Sequence, residues 1–212
     1  LLGKLMGREK EAEEFLSFYT EQMNVVRDGL QGVTSKPTVF LESRVGLRAQ
    51  CCEAMGNTMM GRFIEWAGGI NAFGKVVPGI IGMVNVEHLL KFQPDFYVGT
   101  AIGSPYRDAK SNRFIILGAD TNEKLARNSL KATSIRNGPA QLDAVKAGKA
   151  YAIWHHFYNT PMHVAAIQAM AKWFHPTRFE NLNPRKTLET YFQRFQPYGL
   201  SGVYWTGLKK DK

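Results

Sequence analysis

The chain has 212 residues, enough for one large or two small domains, and 44% of them are hydrophobic, so a sizeable core can be buried. Lysine and arginine number 27 against 18 aspartates and glutamates, which leaves a net charge of +9 and a surface that favours anions. No apolar run approaches the roughly 18–20 residues that span a bilayer, and no basic-then-apolar leader opens the sequence, so it reads as soluble and untargeted. The only cysteines, Cys51 and Cys52, are adjacent and cannot staple distant segments, which argues against a disulfide-built scaffold; they read as buried thiols.

The first predicted element is a long amphipathic helix over 8–28. Ala12, Phe15, Leu16, Tyr19, Met23 and Val26 recur at three- and four-residue intervals, and Glu9, Glu11, Glu13, Glu14 and Glu21 take the other face. Gly29 and Gly32 end it, and the apolar run 38–41 predicts a buried strand. A second helix is expected over 49–67, with Met55, Met59, Met60, Phe63 and Ile64 inward and Gly68-Gly69 closing it. Asn85 can cap a short helix over 86–93 before Pro94-Asp95 turns the chain into a strand at 96–98.

The run 114–117 predicts another strand, and Asp120 with Glu123 forms a capping box for a helix reaching 132. A short helix over 139–146, a strand over 150–154, an apolar helix over 161–174 opened by Pro161, and a last helix over 184–195 complete the pattern. Strands alternating with helices predict an α/β fold: a Rossmann-like three-layer lobe with a mostly parallel sheet flanked by helices, preceded by a long N-terminal connecting helix.

The chain contains none of the glycine-rich dinucleotide or phosphate loops, the H-E-x-x-H zinc motif or the G-x-S-x-G nucleophile elbow. Ligands of open α/β sheets bind beyond the carboxyl ends of the strands, so the residues after each predicted strand are the candidates. These are Glu42, Ser43, Arg44 and Arg48 after the first, Tyr106 and Arg107 after the second, and Trp154, His155, His156, Phe157 and Tyr158 at and after the last. Arginines and aromatic rings at one sheet edge would make a cationic, stacking mouth for an anionic aromatic or chelate ligand. His155 and His156 are adjacent on what reads as an extended segment, so they would face opposite ways and not share one metal ion. They leave open an α/β enzyme with one of them as acid–base. Lysine and arginine are scattered rather than interleaved with aromatics, so no nucleic-acid partner is expected.

Several stretches carry a resemblance. They are Leu1-Leu2-Gly3-Lys4-Leu5-Met6-Gly7 with the acidic helix after it; Trp66-Ala67-Gly68-Gly69-Ile70-Asn71; Val84-Asn85-Val86-Glu87-His88-Leu89-Leu90 followed by Gln93-Pro94-Asp95; and Leu142-Asp143-Ala144-Val145-Lys146-Ala147-Gly148-Lys149. In this order they resemble the C-terminal part of class III periplasmic substrate-binding proteins, which serve ABC importers of ferric siderophores, haem and vitamin B12. Trp154-His155-His156-Phe157-Tyr158-Asn159 and Ala171-Lys172-Trp173-Phe174-His175-Pro176 are similar to the iron-siderophore branch.

In that family two α/β lobes joined by one long helix hold ligand between them. The resemblance therefore implies that residues 1–32 are the connecting helix and 33–212 the C-terminal lobe, with the N-terminal lobe and an export signal lying outside this sequence. It implies a non-enzymatic, monomeric binding protein in the periplasm, free or lipid-anchored, without a resident cofactor or metal. Its ligand would be a ferric siderophore or similar iron chelate, with haem or cobalamin the alternatives and Tyr106, His155 or Tyr158 the axial ligand for haem. Ligand contacts would fall on Arg44, Arg48, Tyr106, Arg107, Trp154, His155 and Tyr158. Glu87 matches the glutamate that pairs with arginines of the membrane permease.

Overall fold

The computed structural model describes residues 1–208. In chain order the elements are α1 (Leu2–Leu5), α2 (Glu9–Gly29), β1 (Thr38–Glu42), β2 (Glu53–Met55), α3 (Gly61–Trp66), β3 (Ile70–Asn71), β4 (Ile81–Met83), α4 (Val86–Phe92), β5 (Phe96–Ala101), α5 (Glu123–Ser134), α6 (Asp143–Lys146), β6 (Ala150–Trp154), α7 (His163–Phe174), α8 (Pro184–Phe195) and β7 (Trp205–Gly207), with 3-10 turns at Pro139–Gln141 and His155–Asn159.

Strands β3, β1, β5 and β6 are parallel to their neighbours, in the register Val39↔Phe96 and Tyr97↔Ala150, while β2, β4 and β7 add antiparallel flanks. Period-two alternation sorts the strand residues onto two faces. Val39, Leu41, Val98 and Ile153 pack under α2, α3, α7 and α8, and Phe40, Tyr97, Ala101 and Ala152 pack against α4 and α5. This is the expected three-layer lobe, and its parallel strands bring the carboxyl ends of β1, β5 and β6 to one edge.

Helix α2 buries only Phe18 and Val26 and is tied to α7 by a side-chain bond. His163 Nδ1–H donates to the Thr160 carbonyl (2.7 Å), leaving Nε2 to accept from the Tyr19 hydroxyl (2.6 Å). Gly68, at φ +82, lets the chain leave α3 where a Cβ would strike Leu30 and His175.

Six expectations give way to tertiary context. The helix expected over 49–67 is helical only at Gly61–Trp66; residues 53–55 form β2, paired with both β1 and β4. Met55, Met60, Phe63 and Ile64 do lie in the core, but Gly56 and Gly61 interrupt the helical path, with the Gly56 carbonyl where a Gly61 Cβ would stand. The run 114–117, buried from Ile115 onward, forms no strand: Ile116 makes a single bridge to Gly103, and its N–H is bound by Ser129 of α5 at 2.9 Å.

The cap of α5 is Asn122, whose Oδ1 accepts from the Leu125 N–H, while Asp120 instead accepts from Tyr106. The segment 139–146 breaks at extended Leu142, and α7 begins at His163, not Pro161. Cys51 and Cys52 are joined as a vicinal disulfide rather than held as free thiols, with both sulfurs turned against Gly138.

Candidate functional site

At the carboxyl edge, β1 ends in Glu42 and the chain turns through Ser43 and Arg44, the latter at φ +46. The Arg44 N–H donates to Thr100 Oγ1 at 2.6 Å, which pins this turn to the end of β5. The Arg44 side chain reaches across to Glu53, the first residue of β2: Nη2 donates to Oε2 at 2.8 Å. Arg48 Nε donates to the other oxygen, Oε1, also at 2.8 Å. Glu53 is only 5% exposed. Burial opposes its ionisation, but the hydrogen bonds and charges of Arg48 and Arg44 outweigh it and hold the carboxyl below its usual range. Two guanidinium groups therefore share one buried carboxylate, one on each oxygen.

The end of β6 closes the other side. Residues 155–159 form a 3-10 turn rather than the extended segment expected, so positions three apart lie over one another. His155 turns inward, with Nδ1 3.0 Å from Thr100 Oγ1, and the Tyr158 ring meets it edge-on at 5.3 Å. His156 points to solvent against the Trp154 indole, 5.2 Å between centroids. Burial, with the charges of His156 and Arg44, pushes the His155 pKa down to about 4. At neutral pH the imidazole is uncharged, an apolar-walled hydrogen-bonding group and a poor acid–base. Trp154 is half-buried, edge-on against Phe157 and Tyr204.

Arg44, Arg48 and His155 thus meet around Glu53 and Thr100, with the Tyr158 ring packed on His155 and the Trp154 ring on His156. Tyr106 and Arg107 stand apart in the loop after β5. Tyr106 is 82% exposed and donates to Asp120 at 2.7 Å, and Arg107 is held by Asp108 at 2.9 Å. Among the described residues no hydrogen bond or ion pair links either one to Arg44, Glu53 or His155. What does bridge the two loops is Arg113, whose Nε and Nη2 donate to the Gly46 and Leu47 carbonyls at 2.6 and 3.0 Å.

Glu53, Thr100 and Arg113 are absent from the sequence-derived set. Glu53 was hidden inside an expected helix, and its one sequence signal is a glutamate close behind two arginines. Glu87 is exposed in the first turn of α4, where the Asn85 side chain accepts from its N–H at 2.7 Å. Because β4 places Met83 opposite Glu53, α4 starts from the same sheet edge as the mouth.

The chain matches no family model and no curated protein. Solved structures do match. The TroA-like periplasmic binding protein FepB of Veillonella parvula superposes with a TM-score of 0.87 at 25% identity, covering 98% of this chain and 59% of that one. The fold is that of the TroA-like periplasmic binding proteins.

Two further neighbours bind different ligands. The molybdate-binding protein MolA of Haemophilus influenzae gives a TM-score of 0.66 at 16% identity over 95% of this chain and 55% of its own. The haem-binding protein RhuT of Roseiflexus sp. RS-1 gives 0.60 at 17% identity, over 83% and 60%. The chain therefore spans between half and two-thirds of these neighbours, all three of which are periplasmic binding proteins, MolA being that of an ABC transporter.

Proposed function

We propose that the chain is the connecting helix (residues 1–32) and C-terminal lobe (33–212) of a periplasmic solute-binding protein that delivers an anionic iron chelate, of the ferric siderophore type, to an ABC-importer permease. Support for the class comes from the fold, and the coverage of 59% of the FepB chain fits one lobe plus the helix. Support for the ligand comes from one observation: Arg44 and Arg48 converge on a single carboxylate at the carboxyl edge of the parallel strands. Haem and molybdate on neighbours of this fold mean that ligand chemistry follows the mouth and not the scaffold. Here the mouth offers guanidinium forks suited to paired oxygens of an anionic complex, with the Trp154 and Tyr158 rings to stack on its organic part.

The test is a tryptophan-fluorescence titration of the protein, in the longest form its gene encodes, with a ferric tris-catecholate, a ferric hydroxamate, haem and cobalamin. Quenching by a ferric chelate at micromolar concentration is expected. Haem binding with a Soret shift lost in Tyr158→Phe would move the assignment to haem, and no response to any of the four would defeat it.

A further inference from the structure

Two arginines and one glutamate at the mouth admit two readings, a structural ion pair or a device aimed at a ligand, and the unpaired donors favour the second. Among the described residues Ser43 Oγ and Arg44 Nε are buried without a hydrogen-bond partner; Nε lies on the side chain that crosses to Glu53, and Ser43, next to it in the chain, donates its N–H to the Glu53 carbonyl at 2.6 Å. Ser43 itself is 2% exposed. Buried donors left open are costly, and a native fold keeps them where something else completes them. Arg48, by contrast, is 61% exposed along its side chain and still held at Nε. Its planar fork is thereby oriented while most of the guanidinium remains in water. The triad carries a net charge of one positive, since one carboxylate offsets one of the two guanidinium groups.

Two long side chains free to rotate would each lose conformational freedom on binding a ligand, and their like charges would spread them apart. A buried carboxylate that takes one oxygen to each removes both obstacles before the ligand arrives. We propose that Glu53 is the positioning residue of this mouth: it presents Arg44 and Arg48 as one preset pair which, with the Ser43 hydroxyl and Arg44 Nε, receives the paired oxygens of an oxyanionic ligand. The inference rests on the ligand-binding reading of the mouth.

The sign of a single substitution separates positioning from simple attraction. Glu53→Gln makes the mouth more positive, so if charge alone governed binding an anion would bind more tightly. Titrated with a ferric tris-catecholate, the variant is expected to bind about tenfold more weakly than wild type, with a melting midpoint within a few degrees of it. Equal or tighter binding by a folded Glu53→Gln overturns the positioning role while leaving the function standing; no binding by wild type removes the function and this inference together. If Glu53→Gln does not fold, Arg48→Lys serves, because it keeps the charge and loses the fork. Several-fold weaker binding is expected there, and unchanged affinity overturns the proposal.

Discussion

Two buried glutamates, eleven positions apart, meet arginine in different ways. Glu42, at the end of β1, faces the α5 side and accepts from both terminal nitrogens of Arg136, Nη2 at 2.8 Å and Nη1 at 3.2 Å, and from the Tyr97 hydroxyl at 2.6 Å. Arg136 is 20% exposed along its side chain and spends its Nε on the Thr133 carbonyl, so this network is closed. Burial, then the negative charge of Glu42, pushes the Tyr97 phenol well above its usual range, so it stays a hydroxyl and a donor. Glu53 lies on the opposite face of the sheet, and its arginines are 31% and 61% exposed along their side chains. The chemistry is the same, but one network ends in the protein and the other ends in solvent. A closed network fixes a fold; an open one leaves guanidinium donors for something else.

The sharpest way to break that contrast is to remove one arginine from each. Arg136→Ala strands a buried carboxylate and is expected to destabilise the chain by about 3–5 kcal/mol, read by urea unfolding. Arg48→Ala leaves Glu53 with Arg44 and removes a largely solvated group, so about 1 kcal/mol or less is expected. Similar losses in the two variants would show that the mouth is as structural as the Glu42 network.

A smaller effect comes from His155, which sits between the open network and the core. Its pKa is about 4 in the folded chain, from burial and then the charges of His156 and Arg44, against roughly 6.5 when unfolded. The unfolded state therefore takes up the proton first. The contribution of the neutral, buried imidazole is complete above pH 6.5 and is lost progressively as pH falls towards 4, on the order of 3 kcal/mol in all. Burial lowers the pKa of His163 as well, so acid weakens the α2–α7 junction in the same direction. Denaturant midpoints between pH 7 and 4 should fall for wild type and fall less for His155→Gln. An identical slope in the variant would mean that His155 is not the group responsible.

What was legible in the sequence follows the range of the forces involved. The bounds of α8 and β6 and the Asn85 cap of α4 were readable because proline, asparagine and alternation act within a few residues. The arginine-bearing end of β1 was readable from the sheet-edge rule. Strand β2 was not, because Glu53-Ala54-Met55 takes its conformation from partners on β1 and β4, and methionines at short intervals fit a helix equally well. With β2 misread, Glu53 had no reason to stand beside Arg44. Thr100 escaped for a similar cause: it is one buried residue in an apolar strand, and its role appears only when Arg44 and His155 arrive from both neighbouring strands.

Glu87 extends the contrast to a third carboxylate, one that meets no arginine. Among the described residues it forms no ion pair, and its side chain stands exposed at the first turn of α4. Its interaction with the helix end is worth about 0.3–1 kcal/mol, so Glu87→Ala should barely change stability. Because the side chain lies outside the Arg44–Glu53 cluster, the affinity for a ferric chelate should not change either. If the proposed transport role holds, the loss appears only when the importer is present: binding to permease-containing vesicles should weaken, and more so at low salt, where an exposed charge acts at longer range. Under the proposed function, a carboxylate closed by arginine serves the fold, one half-closed serves the ligand, and one left bare is available to a partner. Loss of ligand affinity in Glu87→Ala would place it in the second group.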